Sequence, residues 1–274
     1  MTQSTQLGEC PRANVLGVGV HAINMPEVLA VFQRAIEQRI RGYVCVTGVH
    51  GIMEAQKNPA FRSILNGSLL TTPDGMPTVW VGKRQGHSQM RRVFGPDMML
   101  EVCAMSVEKG YTHFLYGGTD GVAEQLKASL VRNFPGLRIV GTCTPPFRPL
   151  NETEREALKS QIASLKPDIF WVGLSTPKQE RFMAEYLPQL ETLVMVGVGA
   201  AFDVHTGRIQ DAPHWMKTAG LQWLHRLAQE PRRLWRRYLY NNPRFVLKMT
   251  SQLLGLSKYS LESSILPGNL KEAK

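Results

Sequence analysis

Cysteine is scarce and dispersed: Cys10, Cys45, Cys103 and Cys143 are the four in 274 residues, and no two form a C-x-x-C pair. That spacing suggests neither a zinc site nor a disulfide framework and fits a reducing cytosol. Long apolar runs are also missing. The longest, Leu193 to Phe202, is too short to cross a bilayer and contains two glycines. The opening residues lack a basic stretch followed by a long apolar one, which argues against a secretory signal. No G-x-G-x-x-G follows the first strand-like segment, so a dinucleotide-dependent oxidoreductase has no fingerprint here, and there is no Walker A sequence. Asp-x-Asp pairs and acidic/His clusters at ligand spacing are absent, so no metal site is expected.

What is present describes a folded protein. Hydrophobic residues make up 43% and charged residues 20%, which excludes extended disorder except near the ends. The net charge of +10 is concentrated in one place. Trp215 to Lys258 holds nine Lys/Arg against the single acid Glu230, a local +8. Such a segment seeks phosphate groups, acidic lipid headgroups or nucleic acid. Trp223, Leu224, Leu227, Leu234, Trp235, Tyr238 and Leu239 recur there at roughly helical spacing around Pro231, which should break or kink the stretch. A basic amphipathic element lying on a membrane surface and a helical cap packed on the body fit equally well. A nucleic-acid role finds no recognition motif in the body.

Along the chain, strand patterns alternate with helix patterns. Asn14–Val20 reads as an opening strand, Met25–Arg39 as a helix, Tyr43–Thr47 as a buried strand, and Ile52–Leu65 as one helix before a strand at Leu69–Leu70. Further alternation follows: a helix Met98–Lys109, strands at His113–Tyr116, Pro135–Gly141 and Pro167–Leu174, helices to Asn133 and over Glu152–Ser164, and a strand at Leu193–Gly199. The expected fold class is α/β, a Rossmann-like, largely parallel sheet with helices on both faces, plus a C-terminal basic helical appendage. The expected organisation is a flexible N-terminus (1–13), an α/β body (14–214), a basic amphipathic appendage (215–258) and a flexible tail (259–274).

Thr71-Thr72-Pro73-Asp74-Gly75-Met76-Pro77 holds a carboxylate among chain-stiffening neighbours: Pro73 fixes its own φ, Gly75 permits a sharp turn and Pro77 restricts Met76. A general base needs such a defined direction. On this stretch alone a turn aspartate between two strands is the simpler reading. Three other stretches stand at strand ends or helix starts, where ligands gather in parallel sheets. They are Thr47-Gly48-Val49-His50-Gly51, the glycine turn Gly117 to Gly121 with its weak phosphate-cradle character, and Ser175 to Glu180.

In order along the chain stand Thr72-Pro73-Asp74-Gly75-Met76-Pro77, Arg92-Val93-Phe94-Gly95-Pro96-Asp97, Gly173…Pro177-Lys178-Gln179-Glu180, Gly197-Val198-Gly199…Phe202-Asp203…Ala212-Pro213…Trp215 and Gln222-Trp223-Leu224-His225-Arg226-Leu227…Glu230-Pro231-Arg232-Arg233…Arg236. This ordered set resembles the WecG/TagA/CpsF glycosyltransferases over nearly the whole chain. The resemblance implies an inverting, metal-independent transfer without cofactor, from a UDP-sugar to a polyprenyl-diphosphate-linked acceptor, at the cytoplasmic face of the bacterial membrane. By position, Asp74 takes the general-base role and Thr47 a substrate-pocket role. Arg92 and Gln179 fall on nucleotide-sugar positions, and Arg226, Arg233 and Arg236 on appendage arginines that meet diphosphate.

Two departures bear on the donor sugar. Val49 stands where the family has asparagine, so that one sugar-hydroxyl contact is either lost or replaced by His50, and Asp211 stands where an arginine is common. N-acetylmannosamine, its uronic acid and glucose are the family donors, and the Thr-Pro-Asp-Gly-Met-Pro form is nearer the exopolysaccharide members. The expected partners are therefore the UDP-sugar, the lipid-linked glycan acceptor and an anionic membrane surface, with no nucleic acid. A homo-oligomer is compatible with the sequence. A non-catalytic membrane scaffold is the rival class, in which Asp74 would be dispensable.

Overall fold

The computed structural model describes residues 10–261. In chain order the elements are β1 (Arg12–Val15), β2 (Val18–His21), α1 (Met25–Glu37), β3 (Gly42–Thr47), α2 (Val49–Lys57), α3 (Pro59–Asn66), β4 (Leu70–Pro73), α4 (Met76–Arg84), α5 (Gly95–Lys109) and β5 (Thr112–Gly117). Then follow α6 (Val122–Asn133), β6 (Arg138–Cys143), α7 (Glu152–Leu165), β7 (Ile169–Gly173), α8 (Lys178–Tyr186), β8 (Val194–Gly197), α9 (Ala201–His205), α10 (His214–Thr218), α11 (Gln222–Gln229) and α12 (Pro231–Leu253). The fold is α/β, as the alternating pattern predicts. The expected flexible ends, 1–13 and 259–274, lie for the most part outside the described residues.

The chain forms two compact units. One comprises Met25–Val46 and Val93–Asp211; the other takes the chain up to Asn24, Thr47–Arg92 and everything from Ala212 onward. The larger unit is built on parallel strands in the order β3-β8-β7-β5-β6. Its central strands are continuous apolar runs, Phe170-Trp171-Val172 and Val194-Met195-Val196, because both faces are covered. Glycines at the strand ends serve close approach. Gly117, at φ +136, lies so near Gly173 that an added Cβ would fall 2.6 Å from the Gly173 carbonyl oxygen. Asp168, just before β7, accepts hydrogen bonds from the Thr112 amide and hydroxyl at 2.8 Å each and so locks the start of β5 to β7.

In the second unit, the opening segment is not one strand but the antiparallel hairpin β1–β2, Val15 paired with Val18. Leu16 and Gly17 both have positive φ, 54 and 81, the backbone of a two-residue turn whose twist suits a hairpin. The expected single helix over Ile52–Leu65 is two, since Pro59 has no N–H to continue the ladder and the Asn58 side chain instead caps the new helix, accepting from the Phe61 amide at 3.0 Å. Pro231 likewise separates α11 from α12 and occupies the first turn of the latter, where its missing donor costs nothing. α12 buries Leu234, Asn241, Phe245 and Met249 on one face.

Candidate active site

Asp74 follows the last residue of β4 directly, and Gly75 is the N-cap of α4. The carboxylate therefore stands at a strand-to-helix junction, not in a turn between two strands. Pro77 does not stiffen a loop either: it lies in the first turn of α4, where a donor would be unpaired in any case. The Asp74 amide donates to the Thr47 carbonyl at 3.2 Å, and Arg92 Nε donates to the Asp74 carbonyl at 2.5 Å. The backbone carrying the carboxylate is thus held on both sides. Gly48, next to Thr47, keeps space open: a Cβ there would lie 3.7 Å from Asp74 Oδ2. Thr47 is buried, and its hydroxyl makes no hydrogen bond among the described residues.

Arg92 continues to α11, its Nη2 donating to Gln222 Oε1. Further along, Arg226 and Arg233 converge on a single carboxylate: their Nη2 atoms lie 2.9 and 2.6 Å from Glu230 Oε2. Arg236 is exposed, its guanidinium 5.2 Å from the Trp235 ring. Arg237 is different. Its Nε is buried without a hydrogen-bond partner among the described residues, and burial lowers its pKa from the usual value, with Tyr238, Arg226, Arg233 and Asp74 all in electrostatic reach. Burial likewise raises the Tyr238 pKa, against Arg237 and Arg226. Arg237, which the resemblance does not single out, is thus a further guanidinium in electrostatic reach of Asp74.

His50 lies on α2, and its Nδ1 is 3.1 Å from Asn241 Nδ2 on α12. Asn donates here when the imidazole carries its proton on Nε2. Beside this pair opens a groove of about 540 Å³, lined by His50, Glu54 and Lys57 from α2 and by Trp235, Arg236, Arg237, Leu239, Tyr240 and Asn241 from α12. Thr47, His50, Asp74, Arg92, Arg226, Arg233 and Arg236 all belong to the unit containing Thr47–Arg92; Gln179 belongs to the other.

Within that unit Gln179 sits on the first turn of α8, beyond the end of β7, and is 2% exposed. Its amide lies against the end of β8: a Cβ at Gly197 would meet Nε2 at 3.0 Å and one at Gly199 would meet Oε1 at 3.5 Å. Among the described residues no group of three His, Cys, Asp or Glu is placed to hold a metal ion, and no helix is long and apolar enough to cross a membrane.

Sequence reasoning passed over Gln222, Glu230, Arg237, Tyr238 and Asn241. Gln222 and Glu230 stand in the C-terminal motif, and Arg237 is one helical turn after Arg233, a spacing that puts both on one face.

The described residues thus place the Asp74 carboxylate after β4, with Arg92 bonded to its carbonyl and Arg237 in electrostatic reach. The model of the family described as glycosyl transferase WecG/TagA/CpsF matches residues 13–259, and the chain belongs to this family. Among its relatives, the N-acetylglucosaminyldiphosphoundecaprenol N-acetyl-beta-D-mannosaminyltransferase of Bacillus subtilis (strain 168) is 27% identical over 217 residues, 79% of this chain and 82% of that protein. The enzyme of the same name from Bacillus spizizenii (strain W23) is 31% identical over 193 residues, 70% and 72% of the respective chains.

Proposed function

We propose that the protein is an inverting hexosyltransferase, moving a sugar from a UDP-sugar onto a polyprenyl-diphosphate-linked acceptor in bacterial exopolysaccharide or cell-surface glycan assembly, with Asp74 as general base. The observation that carries this reading is the fixed seat of Asp74, its backbone bonded to Thr47 and Arg92 and its surroundings shared with Arg237. In the reaction, the Asp74 carboxylate accepts the proton of the acceptor hydroxyl as that oxygen attacks the anomeric carbon. The bond from that carbon to the diphosphate oxygen breaks, and UDP departs with the electron pair. Guanidinium groups, Arg237 and the Glu230-braced Arg226 and Arg233 foremost, stabilise the charge developing there. Thr47 and Gln179 are substrate contacts, and His50 stands in for the asparagine that Val49 replaces.

The relatives' names favour N-acetylmannosamine as the sugar and a lipid-linked diphosphate acceptor. Residues 215–258 serve as the membrane- and substrate-binding appendage on the 14–214 body, docked on the inner face of the cell membrane. Exposed Trp235, Leu239 and Leu247, set among Arg236, Arg237, Arg244 and Lys248, suit an anionic bilayer surface.

The test is a panel of UDP-sugars (glucose, N-acetylglucosamine, N-acetylmannosamine and its uronic acid) with a synthetic polyprenyl-diphosphate sugar, in EDTA, followed by UDP release and product mass. One donor should be transferred, and Asp74→Asn should lower turnover about 10²–10⁴-fold with liposome binding intact. Equal transfer by Asp74→Asn would remove Asp74 as the base.

A further inference from the structure

Gln179 is buried to within 2% of full burial and Glu180 to within 1%, at the C-terminal ends of two neighbouring parallel strands, β7 and β8. Two donors converge on one oxygen of Glu180: Thr176 Oγ1 at 2.7 Å and Gln179 Nε2 at 3.2 Å. Facing two donors, Glu180 Oε1 acts as the acceptor. It therefore takes the NH₂ end of the Gln179 amide and rejects the carbonyl end, which would bring two acceptors together. Gln179 Oε1 is left on the side of Gly199, buried and without a hydrogen-bond partner among the described residues. A buried carbonyl left unmade costs stability unless a ligand supplies the missing donor.

We propose that Glu180 is a positioning residue that fixes the polarity of Gln179, so that its Oε1 presents a hydrogen-bond acceptor on the Gly199 side and selects a substrate group that carries a hydrogen. This rests on the reading of Gln179 as a nucleotide-sugar contact. The candidate sources of that hydrogen on a UDP-sugar are the uracil N3–H, the ribose 2′-hydroxyl and the sugar 2-hydroxyl. Thr176 is the second support, holding the carboxylate so that its oxygen faces Gln179. Glu180→Gln would give the amide a neighbour that both donates and accepts, and Gln179 would then turn either end to the pocket.

The experiment is a double-mutant cycle on the full chain. Donor KM and kcat and UDP-glucose affinity are measured for wild type, Glu180→Gln, Gln179→Ala, the double variant and Glu180→Asp, with thermal melting to confirm folding. Glu180→Gln is expected to weaken donor binding about tenfold, seen in KM more than in kcat, to cost nothing further once Gln179 is alanine, and to be partly rescued by aspartate. Analogues give the source of the hydrogen: 3-methyl-uracil and 2′-deoxyribose forms of UDP-glucose, and UDP-2-deoxyglucose. One of them should bind more weakly to wild type and not to Gln179→Ala. An equal loss from Glu180→Gln with and without Gln179, or indifference of the wild type to every analogue, overturns the proposal. If Gln179→Ala binds UDP-glucose as wild type does, the reading of Gln179 as a contact fails along with it. If wild type binds no UDP-sugar, the donor class itself is wrong.

Discussion

Glu230 accepts from two arginines at once, and that single carboxylate divides the appendage's cations into two kinds. Arg226 and Arg233 are braced and largely compensated, while Arg237 is desolvated with no carboxylate hydrogen-bonded to it among the described residues. A partly buried guanidinium gains more from an arriving phosphate than an exposed one, because water screens less there. Arg237→Ala should therefore lower kcat/KM about 10²-fold, and Arg236→Ala, which removes a cation stacked on exposed Trp235, by less than about fivefold. Parallel steady-state kinetics with one donor decides it, and the reverse ranking would return the role to Arg236. Asp74 could be singled out from sequence through the ordered set of motifs, since Pro73 and Gly75 alone leave a turn aspartate as the simpler reading. Arg237 could not, because its burial depends on which face of α12 packs inward, and Arg233, Arg236 and Arg237 are equally basic on paper.

That choice of face belongs to the helix. α12 carries two apolar faces: Leu234, Phe245 and Met249 point into the unit, whereas Leu239, Val246 and Leu247 stand in solvent. The pattern announced an amphipathic helix, but tertiary packing selected the buried stripe. The two faces should separate in experiment. Phe245→Ala, at a position 4% exposed, is expected to cost about 3–5 kcal/mol of unfolding free energy by denaturant titration. Leu247→Ser, at 71% exposure, should change stability by less than about 0.5 kcal/mol while weakening liposome binding. A destabilisation by Leu247→Ser equal to that by Phe245→Ala would mean that the outer face is covered. Similar physics explains the misread helix: periodicity runs unbroken from Ile52 to Leu65, and only the Asn58-Pro59 pair marks the break. The strands were legible because a doubly covered parallel sheet writes itself as apolar runs.

Each unit of the molecule buries one imidazole. His21 accepts from the Thr71 amide through Nδ1 at 2.9 Å, with Arg12 Nε 3.1 Å from its Nε2; His113 accepts from the Trp171 indole at 2.9 Å. Burial pushes both pKa values down to about 3, with Arg12 adding to the effect on His21. Since the unfolded chain takes up these protons near pH 6.5 and the folded chain does not, this stability is present above pH 6.5 and is lost as the pH falls towards 3. The slope is about 1.4 kcal/mol per pH unit for each histidine. Urea titrations at pH 7, 6, 5 and 4 should show the decline, and constant stability down to pH 5 would contradict it.

The two units also interleave along the chain, which crosses from one to the other after residues 24, 46, 92 and 211. Both bonds of the Gln252 amide reach back to the first hairpin, to the Leu16 amide at 2.9 Å and the Asn14 carbonyl at 2.8 Å. On a ribosome, the sheet-bearing unit has all its residues once Asp211 has emerged. The hairpin, made first, must wait for some 240 residues of later synthesis before its last partners exist, and a truncated nascent chain would carry one finished unit and one open-ended one.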